Sequence, residues 1–176
     1  MDRLPGTPRT FRDLIEADLR RAARMIIAIQ DEIDWHFRIA TREGDYVIAV
    51  TMPGDDGERR AMLRRITTSM AWKQAAAFSL AVETYEPDAV YCVGVSAREN
   101  ISCMARIARE PLPWTATNFS AVEWMPEASI DPVIGALLPL GPRPMTPKEV
   151  AACNKWFGVE GKFPAVHVAT GEVRGL

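Results

Sequence analysis

From Phe11 to Ile29 apolar residues recur at helical spacing, through Leu14, Ile15, Leu19, Ala22, Met25 and Ile26, with Arg12, Glu16, Arg20 and Arg24 on the other side. The pattern predicts an amphipathic helix capped by Thr10 and running to about Gln30, its apolar side laid on a sheet and its charged side solvated. Trp35 to Thr41 then alternates apolar and polar, Arg42 to Asp45 supplies a glycine-containing turn, and Tyr46 to Met52 is apolar on both faces. A β-hairpin is expected here, its second strand lying inside the sheet because neither face is polar. Pro53 and Gly54 end that strand, and Asp55 with Glu58 three positions on signals a helix N-terminus. Met62, Leu63, Ile66, Met70, Ala77, Phe78 and Ala81 fit one stripe, which predicts a single long helix from about Gly57 to Thr84. Between Ala75 and Val82 that helix is apolar nearly all round, so burial on more than one side is expected.

Glu86-Pro87-Asp88 reads as the stop of this helix. Ala89 to Ser96 and Ile101 to Arg109 are predicted strands of a second hairpin, turning through Ala97 to Asn100, and Trp114 to Met125 is a third strand that completes an antiparallel meander. Beyond Pro126 prolines at 132, 139, 142, 144 and 147 allow a brief helical turn after Asp131 and otherwise irregular chain. Thr146-Pro147-Lys148-Glu149 is a capping box with proline at the first helical position, opening a helix to about Phe157 that Gly158 ends. Ala165 to Val168 is a short strand or part of a loose tail. The fold class expected is therefore α+β: an antiparallel or mixed sheet of about five strands in α-β-β-α-β-β-β-α order, with two long helices packed on one face. Residues 1–176 are assigned to one domain, in which a proline-rich segment, 126–147, leads to a C-terminal helix that covers the other face or a sheet edge.

An apolar fraction of 48% and five tryptophans support a proper core and argue against disorder. The formal charge of -2 gives no global reason to expect nucleic acid or an anionic membrane as partner. Arginine outnumbers lysine, which fits either anion recognition or the codon bias of a GC-rich bacterial genome. The start, Met1-Asp2-Arg3-Leu4-Pro5-Gly6, lacks the marks of a secretory signal, and the apolar runs fall short of a bilayer span. A soluble, cytoplasmic protein is expected, with Cys92, Cys103 and Cys153 as reduced thiols.

The search for chemistry assigns no catalytic residue, no metal ligand and no cofactor. His36 and His167 lie in different elements, and no zinc spacing or phosphate-binding loop is present. His36, on the polar face of its strand, is expected at the surface or in a hydrogen bond. With a turn at Ala97 to Asn100, Cys92 and Cys103 fall diagonally near one another on one sheet face, as packing thiols or, alternatively, a redox pair. Helix, three strands and helix between Gly57 and Phe157, with Pro87-Asp88 before the strands, resembles the core topology of the PD-(D/E)xK nucleases. That resemblance implies an acid, a spacer and a lysine on a neighbouring strand, where carboxylates hold a divalent ion. Ile101 to Arg109 contains neither acid nor lysine, and Glu160-Gly161-Lys162 stands in the wrong element, so Pro87-Asp88 is assigned to the turn that stops the helix.

Arg59, Arg60, Arg64 and Arg65 form a ridge on one helix, read as a solvated face with phosphate contact as the alternative. Arg106 interrupts an apolar strand and needs a partner, with Glu123 on the next strand as the candidate. Arg98, Glu99, Asn100 and Arg106 are the predicted binding residues, the first three because polar groups on a turn beside rigid strands suit recognition. The function expected is a non-enzymatic protein-binding or oligomeric assembly module, whose partner is another protein or a second copy of the chain. Trp114, Trp124 and Trp156 are candidate interface anchors, with core packing as their ordinary role. Two alternatives stand beside it. One is an enzyme of unfamiliar type acting on an anionic small molecule, with Glu83 or Glu123 as acid and base and Arg106 as anion contact. The other is nucleic-acid binding through the arginine ridge.

Overall fold

The structure, a computed structural model, describes residues 10–41, 44–113, 115–126, 143–157 and 165–168. The proline-rich stretch 127–142, Trp114, Gly158 and Glu160-Gly161-Lys162 lie outside the described residues, as do the side chains of Trp156 and His167.

α1 spans Phe11–Ile29 and opens as the pattern predicts: the Thr10 hydroxyl accepts from the Asp13 N–H at 3.1 Å, and the Asp13 carboxylate accepts from the Thr10 N–H at 2.8 Å. β1 (Trp35–Thr41) and β2 (Gly44–Val50) form the expected antiparallel hairpin. α2 (Asp56–Trp72) begins under the predicted Asp55 cap, whose carboxylate accepts from the Glu58 N–H at 2.9 Å.

The predicted long helix ends there. Lys73 caps it, Gln74 takes a left-handed conformation with φ of 52°, and Ala77–Tyr85 is strand β3. β3 lies between β1 and β4, so the apolar run predicted to be a helix buried on more than one side is a strand buried on both faces. Glu86-Pro87 is the tight turn into β4 (Asp88–Ser96), not the stop of a helix.

β5 (Asn100–Arg109) follows, and the predicted third strand of the meander is split into β6 (Ala116–Phe119) and β7 (Glu123–Met125), both paired with β5. With β8 (Ala165–Val168) beside β2, eight strands make one antiparallel sheet in the order β6-β5-β4-β3-β1-β2-β8, β7 pairing off this path with β5. The expectation of about five strands is thus too low, and β2 is interior as predicted.

The two long helices lie on opposite faces of this sheet, which corrects their predicted placement together. The face of Phe37, Ile39, Ile48, Phe78, Leu80, Val93 and Val95 packs on Leu63, Ile66 and Met70 of α2. The face of Ala81, Val90, Cys92, Cys103 and Ala105 packs on Ile15, Leu19, Ala22 and Ile26 of α1. Register explains the division: Leu80 opposes Val93 while Ala81 opposes Cys92, so β3 and β4 send large side chains to α2 and small ones to α1. Gly94 belongs to the small set, because a Cβ there would overlap the side chain of Ile15. The last helix, α3 (Pro147–Phe157), keeps its predicted capping box, with the Glu149 carboxylate accepting from the Thr146 N–H at 2.9 Å. It packs against α2, and Cys153 is buried beside Ser69 of α2.

Candidate functional site

Two polar networks are built into the α1 side of the sheet. The first is closed. Asp18, on the buried side of α1, meets Arg38 from β1, whose Nε and Nη2 donate to its carboxylate at 2.9 and 2.7 Å. The Ser79 hydroxyl of β3 donates to the same carboxylate at 2.6 Å, and Arg38 Nη1 donates to Asp45 of β2 at 3.0 Å. Burial opposes the charge of Arg38, but the hydrogen bonds and charge of Asp18 outweigh it and hold the guanidinium more firmly protonated than usual. Arg21 lies within 3.3 Å of Asp18, and burial brings its own ionisation down. Two guanidiniums and two carboxylates balance here, and every nearly inaccessible side-chain polar atom among the described residues has a partner. This network ties α1 to β1, β2 and β3.

The second network stands at the end of the sheet where α1 finishes, β3 turns into β4, and β5 runs out. Arg109 donates to Glu83 at 2.6 Å and through Nε to Asp88 at 2.6 Å, clamping β5 to the β3–β4 hairpin. The Asp88 hydrogen bond, then that of Glu83, raises Arg109 against a desolvation penalty. The Ile33 N–H donates to the other Glu83 oxygen at 3.4 Å, which fixes the chain leaving α1. Gln30, in left-handed conformation with φ of 54°, uses its side-chain amide like a strand: it donates to the Ala116 carbonyl at 2.8 Å and accepts from the Ala116 N–H at 2.9 Å. Tyr85 bonds to Glu32, and desolvation followed by the Glu32 carboxylate pushes its phenol up to about 12.

On this frame stand the large apolar side chains that the described residues leave exposed: Ile27 at 38%, Ile29 at 52%, Tyr85 at 61% and Leu112 at 46%. Single exposed apolar residues need no explanation, but these four all come from the segments that meet at one end of the sheet. Asp31, Glu32, Asp34, Glu83, Glu86, Asp88 and Glu110 belong to the same segments. An apolar set amid carboxylates and held on a cross-linked frame suits recognition of another macromolecule.

The predicted binding residues are elsewhere and apart. Arg98 and Glu99 sit in the exposed β4–β5 turn at the opposite end of the sheet, where the Ser96 hydroxyl accepts from both of their N–H groups, and Asn100 opens β5. Arg106 is not interior: its side chain is 57% exposed and reaches Glu123 at 3.4 Å, the predicted partner, on the sheet face turned away from α1. Glu83 points to the α1 face, so the sheet separates it from Arg106 and Glu123.

Cys92 and Cys103 are directly opposite rather than diagonal, and both are fully buried, with desolvation first among the causes that raise their thiols, Cys103 to about 12. His36 is buried toward α1 with Nδ1 2.6 Å from the Asp34 carbonyl, and desolvation lowers it below the ordinary histidine value. On the arginine ridge Arg59 is engaged by the Pro53 and Gly54 carbonyls and Asp56, while Arg60 and Arg64 are exposed. Trp124 packs beside the α1 core under the guanidinium of Arg12, 4.0 Å from its ring centre.

Among the described residues no three His, Cys, Asp or Glu side chains are placed to hold a metal ion, and no helix is long and apolar enough to cross a membrane. No model of a known protein family matches the chain, and neither a curated protein nor a solved structure does.

Sequence reasoning missed the α1 end because its four apolar residues belong to three segments between 27 and 112. The one local signal was Ile27 following Arg20 and Arg24 on the charged face of α1, with no basic residue in the last turn.

Proposed function

We propose that this protein is a non-catalytic binding module that works by contact with another protein, and that the end of α1 is its docking surface. The observation that carries this reading is that the large apolar side chains left exposed among the described residues, Ile27, Ile29, Tyr85 and Leu112, all come from segments that meet at one end of the sheet, Ile27 and Ile29 on different sides of α1, while the buried charges around Asp18 are satisfied internally. Exposed isoleucine and leucine add nothing to the core, and their presentation from segments that meet at one end of a rigid frame supports a surface covered in the working state. The frame also avoids an ordering cost on binding, since Arg109, Glu83, Gln30 and Ala116 already fix the segments that present those side chains.

The test is site-specific photocrosslinking in the producing cell. A benzophenone side chain at position 112 should give a discrete crosslinked protein band that one at position 98, in the β4–β5 turn at the opposite end of the sheet, does not give, and Ile29→Asp should abolish it. Equal crosslinking from both positions, or none from 112, would overturn the reading. A band at twice the mass of the chain would mean that the partner is a second copy.

A further inference from the structure

Taking that docking surface as given, we infer that its partner presents a basic amphipathic helix, with leucine-like side chains for the apolar set and lysines or arginines for its surround. Segments 25–34, 83–88 and 109–113 carry seven carboxylates and one guanidinium, Arg109, in a chain whose total formal charge is only -2. Arg109 is already spent on Glu83 and Asp88. Counting Arg24, one turn earlier on α1, leaves the excess strongly acidic, and the β2–α2 corner at the same end, Asp55 to Arg60, adds three acids and two arginines.

The backbone adds to this field. α1 ends here with its carbonyl dipoles pointing outward and no basic residue in its last turn, which concentrates negative potential beside Ile27 and Ile29. Nucleic acid and anionic lipid would be repelled, and an isologous pairing of two such ends would set acid against acid. A cationic peptide gains on both counts, burying its apolar side on Ile29, Tyr85 and Leu112 and its charges among Glu32, Glu86 and Glu110.

The experiment titrates the full chain with a fluorescent leucine–lysine amphipathic helix of about eighteen residues and with its leucine–glutamate counterpart. The lysine peptide should bind at least tenfold tighter than the glutamate one, and raising salt from about 50 to about 300 mM should weaken it by about tenfold or more. The double variant Glu86→Lys, Glu110→Lys changes two exposed side chains and should lose that binding while melting normally, as should Leu112→Ser; Arg98→Glu, in the exposed β4–β5 turn at the opposite end of the sheet, should bind as the parent does. Equal affinity for the two peptides, or binding unmoved by the double charge reversal, would overturn the inference. If that happens while crosslinking from position 112 persists, the docking surface stands and only the charge class of its partner is wrong; if both fail, the surface itself is wrong.

Discussion

Asp18 is fully enclosed between α1 and the sheet, where Arg38 of β1 and Ser79 of β3 both donate to its carboxylate. A buried ion pair of this kind contributes little net stability, but removing Asp18 leaves Arg38 buried and Arg21 half-buried with Asp45 as the one remaining carboxylate of the network. Asp18→Ala should therefore cost on the order of 3–5 kcal/mol in chemical denaturation. Adding Arg38→Met in the same chain should recover most of the loss, and no recovery would mean that the carboxylate acts otherwise than through Arg38.

His36, close to this network, supplies a pH signature. Desolvation lowers its pKa, so the unfolded chain binds that proton more readily than the folded one, and stability falls as pH drops below about 6.5. The fall ceases once pH lies below the folded value. Urea midpoints at pH 7.5 and 5.0 should differ more for the parent than for His36→Gln; equal differences would show that the histidine does not titrate in folding.

At the level of elements, what the chain announces locally it also builds. Thr10, Asp55 and Thr146 cap the helices as their spacing predicts, because a cap is a bond between near neighbours and needs no knowledge of the rest of the fold. The hairpin of β1 and β2 was equally legible, since polar positions alternate along β1, although Gly44 and Asp45, expected in its turn, already pair as part of β2. The junction of α2 and β3 was not. Ser69 to Val82 contains neither glycine nor proline, and a strand covered on both faces shows the same unbroken apolar run as a buried helix.

Gln74 makes the break. It adopts a left-handed conformation that costs a residue with a Cβ about 1 kcal/mol, and the Ala75 N–H then bonds back to the Met70 carbonyl at 2.9 Å. Gln74→Gly should raise the melting temperature by a few degrees, corresponding to about 0.5–1 kcal/mol. A lower melting temperature would indicate that the glutamine side chain, not the backbone, holds the turn. The β4–β5 hairpin was likewise visible, but its register lies two residues from the expected one, so every side chain keeps its face: the ladder closes with Asn100 opposite Val95, which sets Cys92 against Cys103 instead of diagonal to it.

For the molecule as a whole, the candidate surface was illegible for a simpler reason: it exists only after α1, the β3–β4 turn and the end of β5 have been brought to one place. What keeps them there is Arg109, whose partners lie 21 and 26 residues away in sequence. Glu83 is nearly inaccessible, and without the guanidinium its charge would keep only the long hydrogen bond from the Ile33 N–H, with the Asp88 carboxylate left nearby. Arg109→Met should thus cost on the order of 2–3 kcal/mol, less than a fully enclosed pair would because the arginine keeps some contact with water. Neutralising the acid as well, in Arg109→Met with Glu83→Gln, should restore most of that stability, because an amide at position 83 can still accept from the Ile33 N–H. The restored chain separates the two jobs of the clamp. If the frame matters only as a rigid support, this double variant should bind the basic peptide as the parent does; if Arg109 also tempers the acidic field, it should bind more tightly at low salt and lose that gain at high salt. Weaker binding at every salt concentration, in a chain that melts normally, would mean that the arginine itself meets the partner.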